Sequence, residues 1–284
     1  MKILITGCNG FLGKQLQLFY QNSKNTIIPT TRQQLDPSNF KNVKDFFSNN
    51  SVDVVIHTAV KGGKRLKEDD LSDFETNLKM FYNLEQFSEK FKIMINFGSG
   101  AEFDRTKDIS LAKESEVFTR LPRDYYGLSK NLISRTINFN KTNNIFNLRL
   151  FGCFGEFEEE QRFFKNSFNR IRNKEKVLIY EDRFMDYFYA DDVGNVVDFL
   201  IENQEDIIDN DFNLCYDNKY LLSEIGTIFS SIASNDFHLQ NSDIFNGFAD
   251  KNYTGNSEKL SKLGINLIGL EKGIEKCLIK WNKS

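Results

Sequence analysis

Short apolar, β-branched runs alternate along the first half of the chain with longer stretches whose apolar residues recur every three or four positions. The runs Ile3 to Thr6, Thr26 to Ile28, Val54 to Ile56, Ile93 to Phe97, Asn147 to Phe151 and Val177 to Tyr180 predict strands. The stretches Leu12 to Tyr20, Val43 to Asn49, Leu71 to Phe91 and Tyr126 to Asn143 predict helices with one apolar face. Apolar strands separated by helices require crossover connections and bury both sheet faces. The expected fold is therefore α/β, a doubly wound parallel sheet over residues 1–155. Residues 156–284 mix polar loops with shorter elements. They are expected to form a smaller C-terminal lobe over the carboxyl edge of the sheet, with room for one or two elements to return to the first domain.

Composition narrows the partners. Of the 284 residues, 40% are hydrophobic and 27% charged, as in ordinary globular chains. The net charge is −3, and the lysine-rich stretch Lys61 to Lys67 runs straight into Glu68, Asp69 and Asp70, so no basic block invites nucleic acid. No segment is long and apolar enough to span a membrane, and the MKILITG start passes too soon into a glycine loop for a signal peptide. Cys8, Cys153, Cys215 and Cys277 match neither a zinc pattern nor a redox pair. Reduced thiols, a cytoplasmic location and no metal are the expectation.

Directly after the first strand comes Gly7-Cys8-Asn9-Gly10-Phe11-Leu12-Gly13. Glycines at this spacing between a strand and a helix let the backbone approach a pyrophosphate, toward which the helix aims its free N–H groups. A Rossmann-type dinucleotide site is expected there. The second strand ends Ile28-Pro29-Thr30-Thr31-Arg32, without the acid that usually binds the ribose hydroxyls. Arg32, with Thr31 beside it, suits a 2′-phosphate, so NADP(H) is expected in preference to NAD(H), which the same loop also admits.

Tyr126-Gly127-Leu128-Ser129-Lys130 places a phenol and an ammonium one helical turn apart. Hydride addition to a ketone creates an alkoxide that needs a proton, and a phenol with an ordinary pKa of about 10 is a poor donor and base at neutral pH unless a cation lowers it. A second match, Tyr20 to Lys24, falls at the far end of the first helix, and Tyr20 is assigned to packing. Tyr126 instead follows the strand that leads into Gly98-Ser99. Ser99, Tyr126 and Lys130 are thus the expected catalytic triad: a donor to the substrate oxygen, the proton carrier and the group that tunes it.

With these motifs in order, the chain resembles the extended short-chain dehydrogenase/reductases, a family of nucleotide-sugar epimerases, dehydratases and reductases. Asp53 to Ala59 and Asn77 extend the likeness, and the resemblance implies that His57, Thr58 and Ala59 line the cofactor. Tyr189 to Val193, Asn213 and the stretch Gly255 to Gly264 resemble landmarks of the substrate lobe. Thr30 to Leu35 and Ala59 to Gly63 look nearest to the GDP-L-fucose synthase-like 4-keto reductases, which implies that Lys61, Gly62 and Gly100 face the substrate. Ala101 and Arg162 stand where epimerising relatives carry a cysteine and a histidine, and Glu102 alone does not match the Asp-Glu pair of the dehydratases. Met185 replaces a common arginine, which Arg183 would make good. Phe151, Phe154, Phe184, Tyr187 and Phe188 are expected in the core, and His57 and His238 do not suggest a metal.

The expectation is an NADPH-dependent reduction of the 4-keto group of a nucleotide-linked sugar. Pairing into a homodimer through the helix that bears Tyr126 follows from the resemblance. Two rivals remain: a nucleotide-sugar 4-epimerase with tightly bound NAD, and a non-catalytic dinucleotide-sensing protein.

Overall fold

Strands flanked by helices and apolar on both sides pair into one six-stranded parallel sheet. The structure is a computed structural model and describes residues 1–64, 68–140, 144–179, 181–237, 243–245 and 251–283. In chain order its strands are β1 (Lys2–Thr6), β2 (Thr26–Thr30), β3 (Val54–His57), β4 (Ile93–Ser99), β5 (Ile109–Ala112), β6 (Ile145–Leu150), β7 (Cys153–Phe154), β8 (Val177–Ile179), β9 (Phe188–Tyr189), β10 (Asp211–Leu214), β11 (Asp243–Phe245) and β12 (Tyr253–Gly255). The helices are α1 (Phe11–Phe19), α2 (Phe40–Asn49), α3 (Leu71–Glu85), α4 (Tyr125–Asn140), α5 (Phe163–Arg172), α6 (Ala190–Asn203), α7 (Leu222–Phe237), α8 (Glu258–Lys262) and α9 (Leu270–Lys283).

The sheet order is β10-β6-β4-β3-β1-β2. After β2 the chain crosses to the other side of β1, so the order reverses between β1 and β3. That reversal opens a crevice at the carboxyl ends of the strands, where ligands of such sheets bind. One face of the sheet packs on α1 and α6 through Leu16, Val193, Val197 and Leu200; the other packs on α2, α3 and α4 through Val43, Phe81, Leu84 and Ile133. A separate apolar cluster of Phe164, Phe168, Phe229, Ile274 and Trp281 forms the core of the C-terminal lobe.

Several elements differ from the periodicity. Val177–Ile179 does not join the main sheet; it pairs with β11 in the lobe. The sixth strand is instead β10, beside β6. Its Asp211 and Asn213 give it a polar reading, but both are buried because they face the Arg149 guanidinium on β6. Asn213 is therefore a sheet residue rather than a lobe landmark, and Ala190 to Val193 opens the helix that covers α1. α3 stops at Glu85, short of Phe91, and a 3-10 turn over Ser88–Lys90 follows. Phe184 is exposed, unlike the buried Phe151, Phe154 and Phe188. His238, Tyr180 and Asn143 lie outside the described residues.

Candidate active site

The glycine loop is shaped by contacts that exclude side chains. Gly7 has φ +69°, and a Cβ there would stand 2.6 Å from the Ala59 backbone. At Gly13 a Cβ would meet the Cys8 Cα at 2.8 Å and the Thr58 hydroxyl at 3.0 Å, so α1 sits against the β1 and β3 ends with no room between. Gly10 caps α1 without a side-chain hydrogen bond, and the first turn has no acid. Asn9 and Gly10 are exposed at the crevice, with Phe11 and Leu12 half-buried behind them. A free, uncapped N-terminus over a bare backbone cradle fits a dinucleotide pyrophosphate.

The neighbouring strand end is fixed from within. His57 Nδ1 and the Thr6 hydroxyl are 2.8 Å apart, and Thr58 donates to the Thr6 carbonyl at 2.6 Å. Burial, with help from the Lys130 charge, pushes the His57 imidazole down to about 3, so it is neutral. Past the end of β2, Thr31 donates to the Gln34 side chain. Arg32 is exposed and its Nε donates to Asp36 at 2.9 Å. An acid therefore does stand near this strand end, four residues beyond the arginine and tied to it.

Ser99 ends β4, and Tyr126 lies in the first turn of α4, which Asp124 starts by accepting from the Gly127 N–H at 2.7 Å. These elements bring Ser99 close enough to the Tyr126 phenol for its hydroxyl to favour the ionised phenol. Burial pushes that phenol up; Ser99, Arg105 and Arg162 draw it down, and Glu102 opposes them. Lys130 itself is buried and donates to the Phe97 carbonyl at 2.7 Å. Burial pushes its ammonium down to about 8, against the attraction of Glu102.

Beneath Ser99 lies a charge network that positions it. Glu102 accepts from the Ser99 N–H at 2.9 Å and from Arg149 Nε at 2.6 Å. Arg149 is fully buried and also donates to Asn213, Ser134 and Asp211. Burial raises the Glu102 carboxyl while Arg149 pulls the other way. A buried guanidinium with this many partners is a structural centre.

The expected substrate positions separate into two groups. Lys61 is anchored: its N–H donates to Asn77 at 2.9 Å, and its ammonium lies 3.2 Å from Asp73. Gly62 and Gly63 both have positive φ, and a Cβ on Gly63 would meet the Tyr126 ring at 2.9 Å, so this loop lies over the phenol. Gly100 is buried against Phe151 and Tyr253. Arg162 precedes α5, exposed but with its charge felt by Tyr126 and Cys153. Arg183 is half-buried, and its Nε has no hydrogen-bond partner among the described residues. Met185 bridges to Tyr253 in parallel fashion. Among the described residues no cluster of His, Cys, Asp and Glu could hold a metal, and no helix is long and apolar enough to cross a membrane.

Sequence reasoning missed Arg105, Tyr253 and Glu158. Arg105 donates to Asp124 at 2.8 Å, and its charge is felt by the Tyr126 and Tyr253 phenols. Tyr253, on β12, brings its hydroxyl against Gly100, next to Ser99. Glu158 is buried behind Arg162, and burial pushes its carboxyl up to about 8. None belongs to a compact motif, so no local signal pointed to them.

The NAD dependent epimerase/dehydratase family model matches residues 3–215, more than half of the chain, and the chain belongs to that family. Its cofactor class is accordingly a nicotinamide dinucleotide. Among solved structures, GDP-mannoheptose C4 reductase from Campylobacter jejuni with NADP bound is similar over 100% of this chain and 98% of its own, with TM-score 0.82 and 22% identity. GDP-L-fucose synthetase from Naegleria fowleri bound to NADP gives TM-score 0.79 at 15% identity, covering 99% and 92%. UDP-N-acetylglucosamine 4-epimerase from Bacillus cereus gives 0.79 at 20% identity, covering 98% of each chain. These identities establish a shared fold. No curated protein has a significantly similar sequence.

Proposed function

We propose that the chain is an NADPH-dependent reductase of the 4-keto group of a nucleotide-linked deoxysugar. The observation that carries the reading is the convergence of Ser99, at the end of β4, and the buried Tyr126 phenol, in the first turn of α4, at the carboxyl edge next to the glycine cradle. Ala101, buried two residues past the serine, offers no acid or base for epimerisation. Similar solved structures that carry NADP include a C4 reductase and a fucose synthetase.

NADPH, held by the Gly7 to Gly13 loop with Arg32 at its 2′-phosphate, would supply the hydride. Ser99 donates a hydrogen bond to the keto oxygen and Tyr126 gives it the proton. A phenol raised by burial stays protonated at neutral pH, as a donor in the reducing direction must. Lys130, fixed on the Phe97 carbonyl, is placed to hold the cofactor's ribose. Arg162 and the unpartnered Nε of Arg183 suit the substrate diphosphate. In this reading two copies pair across α4, where the largely exposed Phe139 meets Phe118 edge-on.

Mixing the protein with a 4-keto-6-deoxy nucleotide sugar should consume NADPH stoichiometrically with the alcohol formed. Tyr126→Phe should slow turnover by about a thousandfold while leaving NADPH affinity within about twofold. Interconversion of epimers without net NADPH loss would overturn the reductase reading, and an unchanged rate in the variant would overturn the proton role.

A further inference from the structure

Ser99 has one hydroxyl proton and two phenols within its reach. Besides Tyr126, the Tyr253 phenol lies near enough for the serine hydroxyl to favour its ionised form, and Arg105 does the same for both phenols. Packing fixes the second phenol. Its ring stands edge-on to Phe151, centroids 5.4 Å apart, and a Cβ on Gly100 would come within 2.8 Å of its hydroxyl. The bare backbone at residue 100 is what lets Tyr253 reach the serine. A phenylalanine would fill the same space against Phe151, so packing alone does not account for the hydroxyl.

The two phenols come from different parts of the molecule. Tyr126 is carried by α4 on the sheet domain. Tyr253 is carried by β12, which pairs with β5 at Ile109 and is joined to the later chain by the Tyr253 N–H to the Phe184 carbonyl at 2.9 Å and by its own carbonyl, which accepts from the Asp186 N–H at 3.1 Å. Asp186 also accepts from the Gly255 N–H at 2.8 Å and is held by Lys219 at 2.9 Å.

We propose that Tyr253 is a third hydrogen-bond donor to the reacting oxygen, delivered by β12 where that strand pairs with β5. This rests on the reductase reading. As hydride reaches the carbon, the oxygen gains negative charge and a third lone pair. Tyr126 transfers its proton to that oxygen, while Ser99 and Tyr253 donate hydrogen bonds and keep theirs. A donor used more fully by the developing alkoxide than by the ketone acts on kcat rather than on binding.

Tyr253→Phe, which keeps the ring, should lower kcat about a hundredfold. KM for the keto sugar should stay within about threefold and NADPH affinity within about twofold. A kcat within twofold of wild type, or a loss confined to KM, overturns the proposal. A second measurement needs no substrate. In protein labelled with ¹³C at the tyrosine Cζ, removing Tyr253 leaves the Ser99 proton to Tyr126 alone, so the Tyr126 resonance should titrate at lower pH than in wild type. Titration at the wild-type pH or above it would show that the serine is not shared and would equally overturn the proposal. Wild-type protein inert toward 4-keto nucleotide sugars, with the Tyr126 titration shifted as expected, would count against the reductase reading alone.

Discussion

The two halves of the crevice are built by opposite means. The half proposed for the cofactor is made of backbone: Gly7, Gly10 and Gly13 lie within seven consecutive residues, and what matters is the side chains they lack. The half proposed for the substrate is made of side chains from β4, α4, the segment before α5 and β12, over a buried charge network. A site written in consecutive residues depends on local conformation, whereas a site gathered from distant segments depends on the docking of the lobe and on the ions beneath it.

Three variants sharpen that contrast. The largest effect is expected from Arg149→Leu, which leaves Glu102 and Asp211 buried without their cation. Chemical denaturation should show a loss of about 3–5 kcal/mol, and a loss under about 1 kcal/mol would mean that the assembled half does not rest on this network. Next comes Gly7→Val, which puts a branched side chain at positive φ against the Ala59 backbone. NADPH affinity, measured by calorimetry, should fall at least about a hundredfold; near-normal binding would mean that the cradle is not built from this backbone. The smallest is Arg32→Ala, for which NADPH should bind about tenfold more weakly while NADH binding is unchanged. An equal loss for both cofactors would assign Arg32 to folding through its bridge to Asp36.

The same contrast explains what was legible. Alternating runs and helical periodicity were enough for the parallel sheet, because burial on both faces leaves β1, β3 and β4 almost purely apolar. The glycine spacing and the Tyr126 to Lys130 turn were readable for the same reason, each being a local constraint. β10 was not, since Asp211 and Asn213 look like loop residues until Arg149 is placed opposite them. Tyr253 was hidden because its meaning depends on Gly100 and Ser99, more than 150 positions earlier in the chain. The hydrogen bond of Lys130 to the Phe97 carbonyl was not legible either, because i, i+4 spacing sets which face a side chain shares but not the atom its far end finds.

The late arrival of β10 has a consequence for synthesis. Until Asp211 leaves the ribosome, Arg149 has emerged with only Glu102 of its two acidic partners, and the edge of β6 has no neighbour. A nascent chain arrested between those points would hold a guanidinium with donors still unmatched beside an open strand, the kind of intermediate that chaperones shield. Closing the sheet on β6 and completing the Arg149 hydrogen bonds both wait for β10, made after most of the polypeptide.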